Sequence, residues 1–280
     1  MKSYTTRDVA RLLGLSEPQV RAQARAGFLV VSRGPRNSYR FSFQDLVLLR
    51  TARELARARV SPRRIRGALR RLVRQLPTGR ALSEVRILAD GDRVVVRDDG
   101  SAWNPESGQL QIDFAVAELA TRAAPIARRL ARSARRADEQ LSASQWFELG
   151  LDLEAAAPDE ARGAYVRALA LEPGHADAHV NLGRMLQLSG RTAEAAEHYR
   201  MALHSHSSHS TAAFNLGTAL EELGQRPQAI EAYRRAIQSD REFADAHFNL
   251  ARLYEREGRR AAALRHLRAY KRLSESGAGS

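Results

Sequence analysis

Gln19, Arg21, Gln23 and Arg25 crowd hydrogen-bond donors into one short segment. Amides and guanidiniums of this kind meet base edges and phosphate oxygens. Arg33, Arg36, Tyr39 and Arg40 follow in a second basic stretch. Far down the chain, Asn181, Asn215 and Asn249 recur every 34 residues. A primary amide donates and accepts at once, so a row of them suits an extended peptide backbone. Phe147, Val180, Phe214 and Phe248 stand at the position just before. Arg184 and Arg252 lie close by and would favour an acidic peptide.

Two histidine groups have metal-like spacing. His204, His206 and His209 fall in Ser-rich sequence, where a polar loop is the simpler reading. His175, Asp177 and His179 look similar, but Ala-Asp-Ala-His occurs at 176–179 and again at 244–247. That recurrence makes it repeat architecture, and no metal or other cofactor is expected. No P-loop, GxGxxG, HExxH or nucleophile elbow occurs, so no catalytic residue is assigned and an enzyme is not expected. With no cysteine, disulfides, thiolate metal sites and thiol catalysis are excluded.

The net charge is +13, and its position matters more than its size. Residues 1–79 hold 18 Lys/Arg against 4 Asp/Glu, whereas 80–140 and 141–280 are close to neutral. A basic segment joined to a neutral remainder is the electrostatic footprint of nucleic-acid binding. No apolar run is long enough to span a bilayer, and the polar start is unlike a signal peptide, so a cytoplasmic protein with no membrane partner is expected.

The elements that must position the first set are short helices and a hairpin. Thr5 or Thr6 can cap a helix carrying Val9, Leu12 and Leu13. Gly14-Leu15 turns, and Ser16 caps a second helix, Glu17 to Ala26, with Pro18 in its first turn. Val20 and Ala24 should face the core and leave the polar set outward. Phe28–Val31 and Ser38–Phe41 read as strands around a Gly34-Pro35 turn. Ser42 and Asp45 form a capping-box pair opening a helix to about Ala58, and Ser61-Pro62 starts another to about Leu76.

This order resembles the MerR family of winged helix-turn-helix regulators. The matching text is Thr6-Arg7-Asp8-Val9-Ala10-Arg11-Leu12-Leu13-Gly14-Leu15-Ser16, then Arg25-Ala26-Gly27-Phe28-Leu29, Tyr39-Arg40-Phe41-Ser42, Asp45-Leu46 and Ser61-Pro62-Arg63-Arg64-Ile65. The resemblance implies that the second helix enters the major groove through Arg21 and Arg25. It also implies that Arg36, Tyr39, Arg40 and Phe41 of the wing meet phosphate. The family's aromatic pair in the recognition helix is replaced by Ala22 to Ala24, and its cysteine metal sensors have no counterpart. Its long dimerisation helix should follow residue 76, and Pro77-Thr78-Gly79 stands there instead.

Between 84 and 114, apolar runs separated by Asp90-Gly91, Asp99-Gly100 and Gly108 predict three or four antiparallel strands. So small a sheet needs a covering surface, either the helix after it or a second subunit. Trp103 is read as core. Residues 115–141 form an Ala/Arg-rich helix, kinked at Pro125, in place of the missing dimerisation helix. Arg128, Arg129, Arg132, Arg135 and Arg136 are read as its solvated face, with a second basic patch as the alternative.

Beyond 142 the sequence repeats itself. Leu149-Gly150, Leu182-Gly183, Leu216-Gly217 and Leu250-Ala251 anchor four units, with Tyr165, Tyr199 and Tyr233 following in the first three. The pattern is identified as that of the tetratricopeptide repeat. The resemblance implies helix pairs stacked into a solenoid whose first helices line a concave face.

The expected fold class is mainly α, with an N-terminal winged helix-turn-helix, a small antiparallel β segment and a C-terminal α-solenoid of tetratricopeptide repeats. The expected boundaries are 1–77 for the head, 78–114 for the β segment, 115–141 for the connecting helix, 142–273 for the repeats and 274–280 for a disordered tail. The expected function is a DNA-binding transcriptional regulator with a protein-interaction domain. Its partners would be double-stranded DNA, a protein or peptide in the repeat array, and a second copy in a homodimer held by residues 80–141. The alternative is an interaction adaptor whose alanine-rich recognition helix no longer binds specific DNA.

Overall fold

The computed structural model describes residues 4–26, 29, 31–34, 37–75, 85–90, 93–98, 112–136 and 141–278. Packing divides the chain into two units, Met1–Ala168 and Leu169–Ser280.

In the first unit, helix α1 (Thr6–Leu13) ends at Gly14, whose left-handed φ of 62° turns the chain. Helix α2 (Glu17–Arg25) follows at once. Both start with reciprocal capping boxes, Thr5 with Asp8 and Ser16 with Gln19. Val9, Leu12, Leu13 and Val20 are buried where the two helices meet. Tyr4–Thr5 forms a short strand, β1, that the sequence does not announce. It pairs antiparallel with β3 (Tyr39–Phe41), which also pairs with β2 (Ser32–Arg33). The first wing strand therefore sits later than the expected Phe28–Val31. Arg33 pairs with Tyr39, and Leu29 and Val31 precede the ladder. Phe28 lies outside the described residues.

Helix α3 (Phe43–Arg57) begins at a third capping box, Ser42 with Asp45, and α4 (Pro62–Gln75) packs on it. Strands β4 (Val85–Asp90), β5 (Arg93–Asp98) and β6 (Ile112–Ala115) form an antiparallel sheet of order β5-β4-β6. Trp103 lies outside the described residues. The sheet finds its cover within the same chain: α4 on β5, α3 on β6, and α5 (Val116–Arg136) on β4 and β6. Helix α5 runs through Pro125 without a break, and its buried Leu119, Ala123 and Ile126 face inward. Helices α6 (Ala143–Glu154) and α7 (Pro158–Leu171) make the first repeat's hairpin. Helix α6 also packs against α3 and α5. There the Asp152 Oδ1 accepts the Phe43 backbone N–H at 3.3 Å, in the first turn of α3.

The second unit holds the later pairs: α8 (Ala176–Leu188) with α9 (Thr192–Ser205), α10 (Ser210–Glu222) with α11 (Arg226–Ser239), and α12 (Ala244–Arg256) with α13 (Arg260–Ala278). Gly190, Gly224 and Gly258 close each pair with φ near +75°, a conformation other side chains resist. Helix α13 continues past residue 273 to Ala278, with the Ser274 hydroxyl bonded to the Tyr270 and Lys271 carbonyls. No helix of the described residues is long and apolar enough to cross a membrane.

Candidate nucleic-acid and peptide interfaces

The second helix of the head presents its polar side as expected, with Val20 and Ala24 buried and Gln19, Arg21 and Arg25 exposed. Gln23 is half-buried. The side chains are partly engaged. Gln19 Oε1 accepts the Ser16 N–H at 2.8 Å, which leaves its amide nitrogen as the outward donor. Arg21 is paired with Glu17 at 2.7 Å, and Arg25 Nε donates to the Arg21 carbonyl at 3.3 Å.

In the wing, two of the arginines lie against other wing residues. The Arg33 guanidinium lies 3.7 Å above the Tyr39 ring, and its Nη1 donates to the Asn37 carbonyl at 3.0 Å. Asn37 takes the left-handed φ of 57° that the turn needs. Arg40 is half-buried and runs beneath Gly34, where a Cβ would meet Arg40 Nε at 2.5 Å. Arg36 lies outside the described residues. Two long-range contacts brace this head: Arg53 donates to the Leu13 carbonyl at the end of α1, and Arg129 of α5 reaches Asp8 at 3.3 Å.

In the array the recurring residues are not equivalent. Asn181 and Arg184 are buried, whereas Asn215 and Asn249 are half-buried. Asn249 Nδ2 donates to the Tyr233 hydroxyl at 3.4 Å, and Asn215 Nδ2 has no acceptor among the described residues. Arg252 pairs with Glu221 at 2.8 Å. Phe214 stacks on Phe243 at 4.9 Å, and Phe248 is exposed beside Tyr270. In the first unit, Phe147 packs against Tyr165 at 5.8 Å.

The histidines divide into caps and pairs. His175 and His209 each accept a backbone N–H at a helix start through Nδ1, and His209 Nε2 reaches Asp177 at 3.1 Å. That bond is the main reason the Asp177 carboxyl sits below the usual range. No group of three or more metal-ligating side chains occurs among the described residues. His179 and His198 meet Nδ1 to Nδ1 at 2.8 Å, and His247 and His266 at 3.0 Å. His179 Nε2 is 2.9 Å from the Pro173 carbonyl and must donate to it, so its Nδ1 is the acceptor and His198 Nδ1 the donor. Repeat three has Ala213 and Ala232 at the same places, so the histidines occur as pairs or not at all.

Burial lowers the pKa of all four rings. His175 adds to this at His179, and Arg272, Arg265 and Arg234 add to it at the second pair, while Glu194 opposes it at His198. A depressed folded pKa means stability that is complete above the free value of 6.5 and is lost as pH falls below it. The melting temperature of residues 169–280 is therefore expected to be flat from pH 8 to 7 and to fall on acidification. Replacing all four histidines with alanine, as in repeat three, should remove most of that slope. An equal acid slope in the variant would assign it elsewhere.

Comparison with known proteins separates the two halves. The family model described as "MerR HTH family regulatory protein" matches residues 4–72. Two models, "Tetratricopeptide repeat" and "TPR repeat", match residues 151–210 and 217–258. No curated protein sequence matches the chain. Among solved structures, "Crystal structure of MamA" is 22% identical with a TM-score of 0.49, over 54% of this chain and 89% of that one. "MamA 41-end from Desulfovibrio magneticus RS-1" is 20% identical with a TM-score of 0.44, over 55% and 96%.

Proposed function

We propose that this chain, which joins a MerR-type helix-turn-helix head to a run of tetratricopeptide repeats, is a DNA-binding regulator whose repeat array docks a protein. The observation that carries the reading is the concentration of positive charge in the head, 18 Lys/Arg against 4 Asp/Glu over residues 1–79. Arg21 and Arg25 lie on the exposed side of α2, and Arg33 and Arg40 are held by the wing, within a segment of strong net positive charge. Helix residues Gln19, Arg21, Gln23 and Arg25 would reach base edges, and wing residues Arg33, Arg36, Tyr39 and Arg40 would sit on phosphate. In the array, Asn181, Asn215, Asn249, Arg184 and Arg252 would take an acidic peptide, flanked by Phe214 and Phe248.

The adaptor reading draws support from the engagement of Gln19 in its cap and of Arg21 by Glu17. One experiment separates the two. Genome-wide selection of bound duplexes by the full chain should give an enriched sequence. Arg25→Ala should weaken binding to that sequence by about 10–100-fold while changing random duplex little, because a lost base contact is worth roughly 1–3 kcal/mol of discrimination. Arg33→Ala with Arg40→Ala should weaken both duplexes alike. Salt-dependent binding without any enriched sequence would leave the adaptor reading standing.

A further inference from the structure

Helix α5 carries six arginines and one acid, Glu118. Three of these charged groups are spoken for: Glu118 binds Arg50 at 2.9 Å, Arg129 binds Asp8 at 3.3 Å, and Arg135 binds Glu160. Arg122, Arg128, Arg132 and Arg136 are exposed and have no carboxylate partner among the described residues. A helix face that serves only solubility interleaves acids three or four residues from its bases. Here Arg128, Arg132 and Arg136 follow one another at i, i+4, a spacing at which like charges repel. The stripe costs the helix stability and neutralises no carboxylate among the described residues.

Its placement says what it faces. The inner side of α5, through Leu119, Ala123 and Ile126, is buried against the head's own unit. Arg129 ties α5 to α1 beside Arg7 and Arg11, which form the exposed stripe of that helix. The exposed arginines of α5 thus adjoin α1 of the head at the Asp8–Arg129 pair, although Arg7 also meets Glu17 at 3.7 Å. We propose that the α5 arginines are a second phosphate-binding surface that grips the same duplex as the head, without reading sequence. The inference rests on the DNA-binding reading above and deepens it. It gives α5 a use other than the pairing of two copies.

The test uses the full chain and a random-sequence duplex of about 40 base pairs, titrated with KCl. In Arg122→Gln/Arg132→Gln/Arg136→Gln, three phosphate contacts are lost, so the log–log salt slope should shrink by about 2–3 and low-salt affinity fall about 10–100-fold. Preference for a selected sequence over random duplex should stay as in wild type. The matching Arg→Lys triple restores charge and should restore the slope, which separates charge from folding. An unchanged slope in the Gln triple, with wild type binding normally, overturns the proposal and leaves an acidic protein as the partner of the stripe. A slope that the Lys triple fails to restore overturns it too. Wild type that binds no duplex removes the DNA reading and this inference together. Arg25→Ala tells that reading apart, because its loss of preference is expected whatever α5 does.

Discussion

Gly217→Ala should lower the melting temperature of the repeat array by roughly 10 °C, and Gly217→Val by more. A Cβ at Gly217 would lie 2.6 Å from two ring carbons of Tyr233. The ring cannot swing away, because Tyr233 is wholly buried and its hydroxyl lies near Thr218, Glu221 and Asn249. Overpacking of this kind costs about 1–3 kcal/mol or more. The same contact occurs at Gly150 with Tyr165 and at Gly183 with Tyr199. The fourth repeat shows the compensation, since Ala251 replaces glycine where Leu267 replaces tyrosine. Gly217→Ala combined with Tyr233→Leu should therefore melt closer to wild type than Gly217→Ala alone. A thermal melt of the three chains decides it, and Gly217→Ala melting with wild type would show that the ring is free to move.

That pairing also explains why the solenoid was legible in the sequence. Gly150 with Tyr165, Gly183 with Tyr199 and Gly217 with Tyr233 are local partners, and the pairing recurs through three successive repeats. Periodicity exposes such contacts directly. The capping boxes at Thr5, Ser16 and Ser42 were legible because each is a four-residue device. What was hidden is long-range. Tyr4–Thr5 is too short to show a strand period, and its partner Phe41 is far along the chain. Arg53 at the Leu13 carbonyl and Arg129 at Asp8 are ordinary surface residues by composition. The asparagine row shows the limit from the other side. Equal spacing placed three amides at one repeat position, yet local packing buries Asn181 more than Asn215 or Asn249.

The least legible contact has the second large expected effect. Asp152→Ala should destabilise the head, although Asp152 belongs to the first helix of the repeat sequence. Its Oδ1 accepts the Phe43 N–H at the start of α3, and the carboxylate is buried. The first N–H groups of a helix have no partner within it, and a negative charge there also meets the positive end of the helix dipole. Removing the acceptor leaves a buried donor unsatisfied, at about 1–3 kcal/mol. The negative charge of Asp152 is felt by Tyr4, whose phenol burial first and then Asp152 and Asp8 push well above its ordinary value. Tyr4 belongs to β1, on the same small sheet as the wing strands, and β3 leads through Ser42 directly into α3. A loosened α3 start should thus reach the wing. Amide hydrogen exchange is the sharpest measurement: Phe43 should lose protection in Asp152→Ala, while the α9–α11 amides of the second unit keep theirs. Asp152→Asn, which retains an acceptor oxygen, should lose less. If Phe43 stays as protected in the alanine variant as in wild type, Asp152 is not its partner, and this bond contributes nothing to holding the head.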